Sequence, residues 1–129
     1  MQHLEYHPTA RRLEHGTPAV PVSFLAQGGL DIISEVGPAN TREHQQDLID
    51  DVVARADEAK LPVRTPRDRH ARGGVVNIGV GEEAEKVCLA LLERDVCTDY
   101  RGDGIRVSPH FFNNQDDIDR LFAALREIL

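Results

Sequence analysis

The residue best suited to binding chemistry in this sequence is Arg106, which interrupts an otherwise apolar stretch at residues 104–107. Arginine is almost never buried without a partner, so an arginine on a strand at the edge of a small core requires an anion. Its guanidinium is a rigid fork that donates two parallel hydrogen bonds to one carboxylate. From the residues alone two partners remain open, an internal aspartate such as Asp99 or the carboxylate of a ligand. The internal pair is the simpler interpretation.

The histidines do not form a pattern typical of a metal site. His3 and His7 are four residues apart, but Pro8 follows directly, and the other histidines lie in different predicted elements. We therefore expect no metal ion, since close ligand spacing within one element is missing. His110 follows Arg106 by four residues, so these two side chains have the spacing to line one pocket. A surface or hydrogen-bonded histidine is the simpler interpretation of His110.

The two cysteines indicate a reduced protein without a disulfide framework. Cys88 falls on the apolar stripe of a predicted helix, and Cys97 alternates with Val96 and Thr98 in a predicted strand. Neither has a neighbouring histidine pair or a flexible glycine-rich loop that would mark a nucleophile. Both are predicted to be small buried apolar residues.

Composition limits the class of protein. The chain has 129 residues, 40% of them hydrophobic, with a formal net charge of −7. That length holds one modest core. A polyanionic partner such as nucleic acid is not expected, because the longest cationic patch, residues 64–72, is short and is interrupted by Asp68. No apolar run is long enough for a membrane span, and the first residues lack a signal-peptide pattern, so we expect a cytoplasmic protein.

The elements that must position Arg106 follow from residue 75 onward. A strand is predicted at residues 75–80 and a helix from Gly81. A hairpin then joins strands at residues 96–100 and 105–107, and a last helix is capped by Asn113 or Asn114. The order β-α-β-β-α predicts an α+β fold, with a small antiparallel or mixed sheet of about three strands and helices on one face.

Two helices are predicted before this sheet. The first covers residues 21–36, and its Gly28-Gly29 pair predicts the close approach of another backbone. The second begins at Pro38 or Asn40 and ends near Ala59. A short strand is possible at residues 62–66. The first twenty residues are irregular and are expected to form a loose tail or a strap on another domain or subunit.

Two stretches carry a resemblance to a known superfamily. Residues 106–114, Arg-Val-Ser-Pro-His-Phe-Phe-Asn-Asn, followed by residues 116–119, Asp-Asp-Ile-Asp, resemble the closing motif of class V aminotransferases, cysteine desulfurases and kynureninases. Residues 99–105 look most like the kynureninase-like branch. Residues 10–18, Ala-Arg-Arg-Leu-Glu-His-Gly-Thr-Pro, resemble the Arg-Phe-Glu-x-Gly-Thr-Pro segment of the same enzymes. The two motifs occur in the family's order, and the resemblance covers nearly the whole chain.

This resemblance implies a pyridoxal-phosphate (PLP) enzyme and a role for four residues. Arg106 would bind the α-carboxylate of an amino-acid substrate, with His110 as a second substrate-binding candidate. Gly16 and Thr17 would approach the cofactor phosphate, in the site of a partner subunit. Without the resemblance, residues 16–18 would be interpreted as a simple turn. The parent reaction would be transamination or a kynureninase-like cleavage at the substrate's β carbon.

The lysine content limits what this chain can do. PLP enzymes need a lysine amine for the internal Schiff base, and only Lys60 and Lys86 exist here. Both are predicted to be solvated. The resemblance places the required lysine in a large domain that precedes this stretch. It therefore implies that residues 1–36 end a large domain and that residues 37–129 form the small domain. The chain alone is then catalytically incomplete, with no PLP bound, and acts in a homo-oligomer or with a large-domain partner.

One alternative from a different class remains open. The strand and helix order also fits a non-catalytic ligand-binding or regulatory module of ferredoxin-like type. Fold analogy alone does not separate that module from an enzyme domain.

Overall fold

The computed structural model describes residues 5–14, 16–17 and 19–129. The contacts divide the chain into two units, and the boundary between them in the sequence is between Val36 and Gly37. The first unit holds a short 3-10 helix, Ala10–Leu13, and helix α1, Val20–Val36. The second unit runs to Leu129. Its helices are α2 (Pro38–Glu58), α3 (Ala84–Leu92) and α4 (Gln115–Ile128), and its strands are β1 (Val76–Gly79), β2 (Asp99–Arg101) and β3 (Gly104–Val107). That the first unit ends a large domain remains a prediction.

The sheet confirms the predicted α+β class. Its three strands are antiparallel in the order β1-β3-β2, so the strand that carries Arg106 lies in the middle. A tight turn through Gly102, whose φ is 61°, joins β2 to β3 and needs the left-handed conformation that glycine adopts without steric cost. The hairpin was predicted at this turn, although β2 begins later than expected.

The core lies on one face of the sheet. Val76, Ile78, Ile105 and Val107 alternate along β1 and β3 and are buried, because successive side chains on a strand point to opposite faces. Helices α2, α3 and α4 cover that face with one apolar cluster. The helical members of the cluster are Leu48, Ile49, Val52, Val53, Ala56, Val87, Cys88, Leu91, Ile118, Leu121, Phe122, Ala124 and Leu125. The opposite face of the sheet is free of helices in the second unit and carries Arg106.

The segment between α2 and β1 is held by arginines rather than by regular structure. The expected strand at residues 62–66 is a single bridge, in which Val63 pairs with Ile78. Arg72 follows in a loop and is buried, with 1% of its side chain exposed. Its guanidinium donates to Gln46 Oε1 at 2.7 Å, to the Arg67 carbonyl at 3.1 Å and to Asp50. The loop is thereby fixed to α2.

Helix α1 differs from the other helices because none of its residues is buried. Seven of its large apolar side chains are more than a third exposed: Val20, Val22, Phe24, Leu25, Leu30, Ile32 and Ile33. A Cβ atom at Gly28 or Gly29 would meet no described atom within 4 Å. The close backbone approach expected at these glycines is therefore not made by the described residues. None of the helices that the structure describes is both long and apolar enough to cross a membrane.

Candidate carboxylate-binding site

Arg106 occupies the third position of β3, on the face of the sheet that points away from the core. Its side chain is 33% exposed, and its Nη1 donates to Asp99 Oδ2 at 3.2 Å. The register pairs these two residues directly across β3 and β2. Asp99 is held in turn by the backbone N–H of Tyr100, which donates to its Oδ1 at 2.8 Å. The internal pair predicted as the simpler interpretation is thus present.

This pair leaves most of the guanidinium available. Only Nη1 contacts Asp99, and among the described residues no hydrogen bond or ion pair reaches Nε or Nη2 of Arg106. Asp99 is itself 68% exposed, and exposed pairs of this kind contribute only about 0.2–1 kcal/mol. The Nε and Nη2 groups form the edge of the fork that fits a carboxylate in two parallel hydrogen bonds. Among the described residues this edge of Arg106 has no partner.

His110 lies after the end of β3 in a small aromatic cluster. Its ring centroid is 4.9 Å from that of Phe111 and 5.4 Å from that of Phe112. Its backbone N–H donates to Asn113 Oδ1 at 3.0 Å, while Nδ1 of the ring is buried and has no hydrogen-bond partner among the described residues. No described contact joins His110 to Arg106. The role of His110 in substrate binding remains a prediction.

The turn after His110 is fixed by the start of α4. Asn114 caps the helix: its side chain accepts from the backbone N–H of Asp117 at 3.3 Å, and the Asp117 carboxylate accepts from the backbone N–H of Asn114 at 3.1 Å. Asn113 Nδ2 also donates to Asp117 at 3.1 Å. The hydrogen bonds from Asn113 and from the Asn114 backbone hold the pKa of Asp117 below its ordinary value. The predicted cap is confirmed at Asn114, with Asn113 as its support.

Gly16 and Thr17 lie in the first unit and are exposed. No atom lies within 4 Å of the position that a Cβ would take at Gly16. His15 and Pro18, which complete the motif quoted from the sequence, lie outside the described residues. An approach of Gly16 and Thr17 to a cofactor phosphate remains a prediction.

Cys97 is exposed, so the prediction that it is a buried apolar residue is wrong. It lies in the stretch before β2, which is shorter than expected, so strand alternation does not turn Cys97 inward. The side chain lines a surface cleft of about 330 Å³ together with Thr98, Ser108 and Phe112. Cys88 is buried as predicted and accepts a hydrogen bond from the Thr98 hydroxyl at 3.3 Å.

Neither lysine fits the role of a Schiff-base residue. Lys60 is exposed at the end of α2 with a φ of 58°. Lys86 is 74% exposed and forms an ion pair with Glu83. A Schiff-base lysine has to be held against the cofactor in a site that excludes water. That this chain lacks the lysine for PLP remains a prediction.

The cationic segment at residues 64–72 is neutralised locally. Arg64 pairs with Asp103, and Arg67 pairs with Asp57 through two hydrogen bonds. Arg69 contacts both Asp47 and Asp50. Each of the four arginines in this segment therefore pairs with a carboxylate of the chain. Within the described residues, no group of three or more metal-ligating side chains is found.

Comparison with known proteins places these features in a family context. Residues 40–125 match the family model described as the kynureninase C-terminal domain. An uncharacterized aminotransferase of Bacillus subtilis (strain 168), YcbU, is 28% identical over 116 residues, which cover 88% of this chain and 30% of that protein. The match is therefore to less than a third of that relative's length.

Two solved structures share the fold. The apo structure of a cysteine desulfurase from Thermococcus onnurineus NA1 superposes with a TM-score of 0.81 at 20% identity, over 92% of this chain and 33% of that one. A NifS-like protein superposes with a TM-score of 0.73 at 17% identity, over 97% of this chain and 38% of that one. This chain spans about a third of the length of both proteins.

Proposed function

Because this chain belongs to the kynureninase C-terminal domain family, and so to the class V aminotransferase superfamily of PLP enzymes, we propose that it serves as the small domain of such an enzyme. Its role is to bind the α-carboxylate of an amino-acid substrate through Arg106. The observation that carries this proposal is the open edge of the Arg106 guanidinium on the face of the sheet that no helix of the second unit covers.

The fixed position of Arg106 supports this role. The strand that carries it is the central one and is hydrogen-bonded on both sides, and the neighbouring residues Ile105 and Val107 are anchored in the core. Binding sites built on such elements hold their geometry better than sites on loops. The contact with Asp99 restrains the guanidinium further without occupying Nε and Nη2. A substrate carboxylate then meets a donor pair that is already oriented, which lowers the entropy cost of binding.

The rest of the catalytic machinery comes from other polypeptide. PLP, when bound in the complete enzyme, supplies the electron sink for chemistry at the amino-acid carbons. A large domain provides the lysine, either on a partner chain or elsewhere in a longer protein, and this chain alone is catalytically incomplete. Gly16 and Thr17 contribute backbone N–H groups and a hydroxyl to the phosphate of a partner subunit, chemistry well suited to phosphate. His110 borders the substrate near Arg106.

The parent reaction is transamination or a kynureninase-like cleavage at the β carbon, carried out in the cytoplasm by a homo-oligomer or by a complex with the large-domain polypeptide. The side chain of the substrate is recognised mainly outside this chain. What this chain recognises is the feature common to all amino-acid substrates, the α-carboxylate.

Substitution of Arg106 in the complete enzyme tests the proposal. Arg106→Gln removes the charge-assisted fork and is expected to raise KM for the amino-acid substrate about 10–100-fold, because hydrogen bonds to charged groups contribute about 1.5–3 kcal/mol. Steady-state kinetics with the holoenzyme measures this change. Arg101→Gln is the matched control, since Arg101 is exposed on the adjacent strand. A KM that responds equally to both changes, or to neither, contradicts the assignment.

A further inference from the structure

Asn77 lies directly opposite Arg106 on the free face of the sheet. The register pairs Asn77 of β1 with Arg106 of β3, and Arg106 with Asp99 of β2. Directly opposite residues point to the same face with their Cβ atoms about 5 Å apart. An amide, a guanidinium and a carboxylate therefore form one polar row across the three strands, with Arg106 in the middle.

The amide of Asn77 makes no hydrogen bond with the part of the chain that the structure describes. Its Oδ1 is buried and accepts no hydrogen bond from a described residue. This oxygen lies over Gly104, where an added Cβ would approach it to 2.3 Å. No described residue is seen to accept a hydrogen bond from Nδ2, and Asn77 as a whole is only partly buried. Nδ2 is therefore a donor without an acceptor among the described residues, at the strand position opposite Arg106.

The amide is not needed to hold β1 in place. The backbone N–H of Asn77 donates to the Thr65 hydroxyl at 2.9 Å, and its carbonyl accepts from the backbone N–H of Arg64 at 3.0 Å. These bonds and the pairing with β3 fix the strand without the side chain of Asn77. A carboxylate only accepts hydrogen bonds, so the amide would meet it through the donor Nδ2 and not through Oδ1.

We propose that Asn77 is a second substrate-binding residue, whose Nδ2 donates to the carboxylate that Arg106 holds. This inference rests on the proposed function of Arg106 and adds the side of the guanidinium on which the carboxylate binds. Asp99 already occupies Nη1 and repels an anion on the β2 side. The carboxylate therefore binds on the β1 side, between the open edge of the guanidinium and the amide of Asn77. Three donors from two strands then meet one anionic group.

Side-chain NMR of the full chain tests this arrangement, with sodium acetate as the carboxylate probe and sodium chloride at equal ionic strength as the control. We expect the Nδ2 protons of Asn77 and the Nε proton of Arg106 to shift together with acetate and to give one dissociation constant. Chloride should not reproduce these shifts, because it lacks the planar pair of acceptors that matches the fork.

Three variants separate the possible outcomes. Asn77→Ala is expected to weaken acetate binding at Arg106 about fivefold. Asn77→Asp keeps the shape of the side chain, replaces the donor with an anion and should weaken binding at least as much. Asp103→Asn is the control, since it breaks the pair with Arg64 and leaves the row intact. Retained dispersion of the backbone amide spectrum shows that each variant is folded.

The results distinguish this inference from the proposed function. A response at Arg106 without one at Asn77, or equal acetate affinity in wild type and Asn77→Ala, overturns the role of Asn77 and leaves that of Arg106 standing. No acetate response at Arg106 overturns the role of Asn77 and also counts against Arg106 as the carboxylate-binding residue.

Discussion

Two arginines of this protein, Arg72 and Arg106, lie in opposite environments. Arg72 is 1% exposed and donates to Gln46, Asp50 and the Arg67 carbonyl. The side chain of Arg106 is 33% exposed and makes one hydrogen bond with the described residues, to Asp99. The sequence identified Arg106 because its neighbours are apolar, but it gave no sign that Arg72 is buried. Arg72 lies in a polar loop, and its two side-chain partners, Asp50 and Gln46, are on α2, 22 and 26 residues away in the chain.

Asp50 is the charged partner of Arg72, and its removal is expected to destabilise the fold. Asp50→Asn leaves a buried guanidinium without its carboxylate, at a cost of about 1–2 kcal/mol in the free energy of unfolding. We place the cost low in the usual range because the Asp50 side chain is itself 42% exposed. Urea unfolding followed by circular dichroism measures the difference. Asp57→Asn, which breaks an exposed pair with Arg67, serves as the control and should leave the midpoint unchanged.

At the scale of the elements, periodicity predicted α1, α2, α4 and the β2–β3 hairpin close to their observed positions. The patterns succeed there because each element has one apolar face and clear glycine, proline or asparagine signals at its ends. The short strand that was possible at residues 62–66 is a single bridge at Val63, and the inward side chain predicted for Cys97 was wrong. Both depend on how far a strand pairs with its neighbour, which composition does not specify. The free amide of Asn77 also went unnoticed, since it becomes meaningful only through the register with Arg106.

The cap of α4 makes the stability of this helix depend on pH. Hydrogen bonds from Asn113 and the Asn114 backbone hold the pKa of Asp117 below its ordinary value of 3.8. Because the folded pKa is depressed, the contribution is fully present above pH 3.8 and is lost as the pH falls through the folded pKa. We expect Asp117→Asn to reduce the pH dependence of unfolding in this acidic range, measured by thermal denaturation at several pH values.

The neighbouring Asp116 provides the comparison for this prediction. It lies in the same first turn of α4 and is exposed, so Asp116→Asn removes the same formal charge near the helix N-terminus without breaking the capping box. An identical change in pH dependence for the two variants would attribute the effect to the helix dipole and not to the cap.

At the scale of the whole molecule, the chain contains one well-packed unit and one helix without a core. Helix α1 has a polar stripe through Ser23, Gln27 and Asp31, and none of its residues is buried although most of its large side chains are apolar. Its exposed apolar surface is expected to bind the dye ANS and to promote self-association. The double change Phe24→Glu and Leu25→Glu should lower both ANS fluorescence and the sedimentation coefficient at high concentration.

A second pair of substitutions controls for a general effect of added charge. Leu89 and Leu92 are exposed on α3, at 58% and 56%, and their change to glutamate adds the same charge to the second unit. If this variant lowers ANS binding and association as much as the α1 variant does, the effect comes from the added charge and not from the apolar surface of α1.

The whole chain is also expected to lack a covalent PLP site of its own. Incubation with PLP followed by borohydride reduction and mass spectrometry should give no stoichiometric label, because Lys60 and Lys86 are both exposed and a Schiff-base lysine needs a site that excludes water. As a reference, the complete enzyme is formed with a large-domain polypeptide and treated in the same way. The large-domain polypeptide should then carry one label. Complete labelling at Lys60 or Lys86 would show that this chain forms a Schiff base with PLP by itself and would contradict the prediction.

The short edge strand β2 has a consequence for how this protein behaves in a crowded solution. An open strand edge is a template on which other chains add and from which aggregates grow. At one edge of this sheet, Val63 bridges to Ile78 and covers part of β1. At the other edge, β2 has three residues, and Asp99 and Arg101 place opposite charges on either side of Tyr100. The aspartate that restrains Arg106 therefore also discourages misassembly, so any change at Asp99 has to be judged by its effect on solubility as well as on binding.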